Sequence, residues 1–435
     1  MQAALAPEPT RATPHHNVRA VLARRGFRRL LAARLLSQAG DGWFQAGLAS
    51  SVFFNPEKAT SPLAIAVAFA VLLVPYSALG PFVGVLLDRW SRRSSLVGAN
   101  LIRAGFVLPT AAFVWFGLEG PLFVATALGV IACNRFFLAG MSASQPHVVE
   151  EERLVTANSF ATTAGTVTYT LGLASAGTIF GLTGTGLHPY AVVVATAALA
   201  YGAASAMLAT SFGRRDLGPD HPATGPVLGA LMQTARGMVA GFVHLARRRA
   251  AAAVMIAQAV HRTFYGVLAL TTLLLYRNYY AVDDVGASLS ALLPVAAAGA
   301  AGSLLAAVVT PGITRRFGGS RWITALMAML AVLVPVLGLP YLAALTITAS
   351  FVVSLATQGT KIVTDTALQQ EIDDDFRGRV FSINDTSFNL AFVLGLVVGA
   401  LVLPTDGHLP ASMVAVGIGY AALATWYGLV SARRA

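Results

Sequence analysis

Apolar positions in this chain run in long stretches, each ended by clustered arginines or by a short polar connection. Twelve stretches can be drawn, at about residues 28–54, 62–87, 95–117, 121–142, 154–182, 188–210, 250–276, 287–311, 322–339, 342–368, 380–404 and 409–431. A helix of about 20 residues crosses the roughly 30 Å hydrocarbon core of a bilayer. Backbone groups in hydrocarbon must bond within their own segment, and the ten-residue alternation of a barrel is missing from the pattern. The pattern therefore predicts an all-α integral membrane protein with twelve transmembrane helices. Gly80-Pro81 and Pro109 fall inside spans, where membranes tolerate them as bends or close-packing points.

The longest connection divides the spans six and six. This organisation gives a tail over 1–27, a first half over 28–210, a linker over 211–249, a second half over 250–431 and a short terminus at 432–435. The linker stretch "LGALMQTARGMVAGFVHLARRR" has the pattern of an amphipathic helix lying on a membrane surface. The two halves also carry a repeat. "SQPHVVEEERLVTANS" after the fourth span matches "LQQEIDDDFRGRVFSIN" after the tenth. There Gln145 pairs with Gln369, Val148 with Ile372, Glu150 with Asp374, Glu151 with Asp375 and Arg153 with Arg377, all at one offset of 224 residues. Parallel repeats of this kind place a substrate site at their interface near mid-membrane.

Composition agrees with the spans: 56% of residues are hydrophobic and only 11% charged, against about 25% charged in soluble domains. A net charge of +11 would suggest nucleic acid in a soluble protein, but here it sits between apolar runs, so no nucleic-acid partner is expected. Arginines cluster before span one and after spans two, four, six, eight, ten and twelve, whereas the opposite loops hold little beyond Lys58 and Arg277. The positive-inside rule then puts both termini in the cytoplasm, with the protein in the cell membrane and the N-terminal segment as a cytoplasmic tail. With Cys133 as the sole cysteine and scattered histidines, no intrachain disulfide, metal site or other cofactor is expected.

The motif "GVLLDRWSRRS" stands between spans two and three, with Gly84, Asp88, Arg89, Arg92 and Arg93 in the pattern G-x-x-x-D-R-x-x-R-R. On this motif and the six-plus-six repeat, the chain resembles the major facilitator superfamily over essentially its whole length. Ser91 stands where that family usually has glycine. The second-half copy "TPGITRRFGGSR" keeps arginines but lacks the acid. "GD" at Gly40-Asp41 and "DDDFRGRVFSIND" from Asp373 look like the branch containing macrolide-type and siderophore efflux proteins. The fifth span has Gly172, Gly177 and Gly181 but no Gly-Pro pair, a departure from the pattern associated with antiporters.

The resemblance implies a cytoplasmic gate, in which Asp88 accepts charge-assisted hydrogen bonds from its arginines and faces the start of the eleventh span. Asp385, early in that span, is a candidate member of the same gate. The alternative is that the arginines serve topology alone, a role to which Asp88 adds nothing.

Ionisable residues inside spans carry the chemistry, because each costs several kcal/mol unless paired or facing water. In the first span Arg34, Gln38, Asp41 and Gln45 share one helical face, with Asp41 about 13 residues in, or roughly 20 Å deep. The seventh span offers Gln258, His261, Arg262 and Tyr265 in a similar arrangement. At an offset of 220, Gln38 maps to Gln258 and Asp41 to His261. Asp41 is then either a proton carrier or counter-ion for a cationic substrate, opposed by His261 or Arg262, or one end of a structural salt bridge with Arg34 or Arg262. A carboxylate in a partly dry cavity protonates more readily than one in water, and a buried pair can itself be the switch. In the tenth span Lys361 and Asp365 form an i,i+4 pair that can neutralise itself.

No phosphate-cradling G-x-x-x-x-G-K-[ST] and no nucleophile motif occurs, so neither ATP-driven transport nor enzymatic activity is expected. The expected function is proton-coupled efflux of an amphipathic small molecule or drug by a monomeric secondary transporter. An importer or siderophore or lipid transporter of the same fold, or a non-transporting sensor or scaffold, remain as alternatives.

Overall fold

The computed structural model describes residues 14–52, 61–79, 82–87, 89–118, 120–150, 153–184, 186–219, 226–280 and 285–432. Among these the chain is helical, with no strand. In order, α1 (Pro14–Ala23), α2 (Arg25–Val52), α3 (Pro62–Leu79), α4 (Val83–Leu87), α5 (Arg92–Trp115), α6 (Pro121–Ser144), α7 (Leu154–Thr183) and α8 (Leu187–Ser211) make up the first part. Then come α9 (Val227–Arg247), α10 (Arg249–Asn278), α11 (Val285–Phe317), α12 (Gly319–Gly338), α13 (Ala343–Glu371), α14 (Asp374–Val402) and α15 (Pro410–Ala432). Among the described residues nine helices are long and apolar enough to cross a membrane. Helices α2, α3 and α7 lie on the other three predicted spans. Asp88, Lys58, Arg433 and Arg434 fall outside the described residues.

By their contacts the helices divide into two units: α1, α2 and α4–α8 in unit 1, α3 and α9–α15 in unit 2. In unit 1, α5 packs on α6 and α8. Leu30, Leu96, Phe137, Met141 and Leu208 bury one another there. In unit 2, Ile323, Leu326, Met327 and Leu330 of α12 pack among residues of α10, α13 and α15. Helix α3 joins this unit by laying Ile65, Ala66 and Phe69 against Leu270, Phe392 and Leu396 of α10 and α14. Outward-facing leucines and valines such as Leu182, Leu199, Val308 and Leu401 are 73–83% exposed, as lipid-facing positions should be.

Glycine sets the closest helix approaches. A Cβ on Gly42 of α2 would stand 2.8 Å from Gly172 Cα of α7, and one on Gly266 of α10 would stand 2.9 Å from Gly395 Cα of α14. No real Cβ tolerates such separations, so both helix pairs depend on the missing side chains. The offset of 224 that relates the acidic loops also relates Gly42 to Gly266, so the repeat extends into the packing.

Linker helix α9 is built into unit 2. Gly237 and Gly241 let it lie against Arg379 of α14. Its end is tied by Arg248 Nη2 donating to Asp373 Oδ1 at 2.7 Å and by His244 stacked on Phe376 at 4.4 Å. Leu228, Met232, Val239 and Phe242 on its other face are exposed.

Candidate functional site

Helix α2 brings Ser37, Gln38 and Asp41 to the inside of unit 1, where all three are buried. Asp41 forms an ion pair with Arg103 of α5, which has no exposed surface at all. The same carboxylate oxygen, Oδ1, accepts a hydrogen bond from Tyr201 Oη of α8 at 2.8 Å. The Arg103 guanidinium lies 3.8 Å over the Tyr201 ring and donates through Nη1 to Ser37 Oγ at 2.8 Å and Asn100 Oδ1 at 3.1 Å. Three helices are thereby locked around one charge pair. The other carboxylate oxygen, Asp41 Oδ2, is buried and has no hydrogen-bond partner.

This corrects the partner expected for Asp41. Arg103, not Arg34, neutralises it, because packing of α5 onto α8 carries Arg103 to the carboxylate whereas Arg34 lies two turns away on the same helix. Arg34 is buried beside Gln38 at Gly165 of α7, with Nε and Nη1 unpartnered. Gln45 is half-buried further along α2. Tyr201 is a site member that sequence reading missed, and so is the pairing of the span arginine Arg103 with Asp41. A signal for Arg103 was available: Asp41 is the sole acid in the first six predicted spans, so a span arginine seeking a carboxylate has one choice.

In unit 2 the equivalent position is filled differently. His261 of α10 is fully buried, with Nδ1 3.0 Å from Tyr420 Oη of α15 and Nε2 2.9 Å from Thr357 Oγ1 of α13. The Thr357 hydroxyl gives its single proton to the Val353 carbonyl at 2.8 Å, so Nε2–H donates to Thr357, while Nδ1 shares the other contact with the Tyr420 hydroxyl. Both ring nitrogens are thereby satisfied. Asp41–Tyr201 and His261–Tyr420 are similar contacts at an offset of about 220, one turn away from the offset of 224 that relates Gly42 to Gly266.

A second polar chain runs from Gln258, which donates to Asn384 Oδ1 at 2.9 Å, through Asn384 Nδ2 to Asp365 Oδ1 at 3.2 Å. Lys361 closes it, 3.3 Å from Asp365 Oδ2 and 3.6 Å from Asp385 Oδ1. Both acids of this group therefore converge on Lys361. Arg262 instead stands over three aromatic faces, its Cζ 4.4 Å from the Tyr265 centroid, 4.2 Å from Phe388 and 4.6 Å from Phe392.

Around the opening motif, Gly84 lies in α4 and Arg89 directly follows it. Arg92 Nη1 donates to the Ala143 carbonyl at 2.8 Å and Arg93 Nη2 to the Ala209 carbonyl at 2.6 Å. Those carbonyls lie in the last turns of α6 and α8, where a cation meets the negative end of the helix dipole. The Arg92 backbone N–H bonds Gly218 O at 2.9 Å, and Ser91 Oγ donates to Arg214 O. The two arginines thus fasten helix ends within unit 1, a role that neither the gate nor topology reading anticipated.

Long apolar helices enclosing buried charge clusters, in units that share packing equivalences, define a multi-pass membrane transporter fold. Comparison with known proteins agrees: a profile of the Major Facilitator Superfamily matches residues 31–396, and the chain belongs to that family. An uncharacterised MFS-type transporter of Mycobacterium tuberculosis is 38% identical over 387 residues, covering 88% of this chain and 86% of that protein. Macrolide efflux protein A of Streptococcus pyogenes is 24% identical over 364 residues, covering 80% and 83%. Among solved structures, the nucleoside transporter NupG superposes with a TM-score of 0.66 at 13% identity, covering 93% of this chain and 98% of NupG. A bacterial homologue of the iron transporter ferroportin, in an outward-facing state with soaked iron, gives 0.56 at 18%, covering 93% of this chain and 99% of that one. These structural likenesses establish the fold alone.

Proposed function

We propose that the protein is a secondary active transporter that exports an amphipathic small molecule by alternating access, coupled to protons, from the cytoplasmic membrane with both termini inside. The observation that carries this reading is the Asp41–Arg103–Tyr201 cluster, with its unpartnered carboxylate oxygen. Protonation of Asp41 at Oδ2 removes the charge that holds Arg103, so three helices lose their shared anchor in one step. The export direction is supported by the likeness to Macrolide efflux protein A. In this reading Lys361, Asp365 and Asp385 tie α13 to α14, and the motif around Asp88 closes the cytoplasmic side.

The test is transport by purified protein in liposomes bearing an imposed pH gradient, with radiolabelled erythromycin and a panel of amphipathic acids and amines as probes. Gradient-driven movement of at least one probe, lost on Asp41→Asn, is expected. Movement that is indifferent to the gradient removes proton coupling, and a chain that moves no probe in either orientation fits a sensor or scaffold instead.

A further inference from the structure

Arg262 has no carboxylate within ion-pair distance among the described residues, although it lies inside a membrane-spanning helix. The two acids of the neighbouring α13–α14 group are both occupied by Lys361. Its Nε is buried without a hydrogen-bond partner. Aromatic faces steady a guanidinium but leave its in-plane donors unused, because the cation–π contact engages the flat side of the group. A membrane cation left in this condition points to a ligand that supplies the anion.

Two residues of this cage, Tyr265 and Phe392, are also walls of a cavity of about 350 Å³ within unit 2. Leu268, Leu292, Val334 and Met413 line it further. Three of its polar residues are already committed: Thr271 donates to Val267 O, Thr346 to Ala343 O and Ser350 to Val295 O. The cavity therefore presents a greasy interior, and two of its walls, Tyr265 and Phe392, are rings that stand over the Arg262 guanidinium, whose Nε is unpartnered. An apolar volume with a convergent charged group at its margin is the usual build of a small-molecule site.

We propose that unit 2 binds an amphiphile with an oxyanion head, a carboxylate or phosphate, the head paired with Arg262 and the hydrocarbon tail in this cavity. The proposal takes its meaning from the transport reading, since it names that transporter's substrate class as acidic amphiphiles. Asp41, being matched by Arg103, is not the receptor for a cationic head. Arg262 meets the head bidentately through its planar donors, and Tyr265, Phe388 and Phe392 exclude water from the contact.

Binding tests this without transport, so the two readings fail separately. Full-length protein in phosphatidylcholine nanodiscs is dialysed against radiolabelled decanoate, decyl phosphate or decyltrimethylammonium, with empty nanodiscs as blanks. Both acids should bind saturably and at least tenfold tighter than the ammonium compound. Arg262→Gln should weaken the acids at least tenfold and leave the ammonium compound unchanged, while Arg262→Lys restores part of the loss. Ala349→Phe, which fills the cavity and leaves the charge alone, should weaken the acids as well and serves if Arg262→Gln does not fold. Phosphatidate added to the nanodisc should compete in an Arg262-dependent way if a bilayer lipid is the source of the head group, and should not compete if only free amphiphiles enter. Equal binding of acids and ammonium, or acid binding untouched by both Arg262→Gln and Ala349→Phe, overturns the proposal.

Discussion

Helices α2 and α10 open the two halves, and each carries ionisable residues into the membrane, yet they neutralise them by different means. In unit 1 the charge on α2 meets an opposite charge on α5, with Tyr201 bonding the same oxygen. In unit 2, α10 holds a buried histidine satisfied by Tyr420 and Thr357, and the adjacent Arg262 has aromatic faces in place of an acid. The repeat thus keeps its glycine approaches, while the polar groups beside them differ: a charge pair in unit 1 and a hydrogen-bonded histidine in unit 2. On the proposed reading the difference divides two tasks: unit 1 holds the group that a proton switches, and unit 2 holds the cation that a ligand completes.

The largest effect should come from breaking the matched charge. Arg103→Leu strands Asp41 in a dry interior, and loss of one partner of a buried pair costs about 3–5 kcal/mol. Thermal unfolding in detergent should show a large drop in Tm, partly recovered in Asp41→Asn/Arg103→Leu. If the double variant is no more stable than the single, the pair is not coupled.

The tyrosines give the next contrast. Tyr201→Phe removes a bond to a carboxylate, worth about 1.5–3 kcal/mol, whereas Tyr420→Phe removes a neutral bond worth about 0.5–1.5 kcal/mol. The unfolding midpoint should fall further for Tyr201→Phe. A reversed order would show that His261, not Asp41, carries charge.

The smallest effect is expected at Arg262. Arg262→Leu loses cation–π contact of about 0.5–2 kcal/mol but also relieves an unmatched cation of its desolvation. Stability without ligand should therefore change little or rise. A fall as large as that of Arg103→Leu would mean that Arg262 has a structural partner and would erase the contrast between the units.

Much of the fold was legible in the sequence because a bilayer leaves few choices. Twenty-residue apolar stretches must be helices, alternate basic loops follow from orientation, and the loop repeat carries across an offset that the Gly42 and Gly266 contacts also obey. The polar face of α2 and the Lys361–Asp365 pair were legible too, since both depend on spacing along one helix. Contacts between helices were not. Spacing on α2 suggests Arg34 for Asp41, whereas the choice of Arg103 is made by the packing of α5. The aromatic cage of Arg262 draws Phe388 and Phe392 from α14, more than a hundred residues along the chain, and no local pattern marks them.

The proposed switch at Asp41 can be isolated by comparing two transport modes in the same liposomes, using whichever probe the wild type moves. Exchange between labelled and unlabelled probe needs the cavity but no gradient, while accumulation against a gradient needs the proton. Asp41→Asn is expected to keep exchange and lose pH-driven accumulation. Accumulation at the wild-type level in that variant would contradict the assignment of Asp41 as the proton-coupled group.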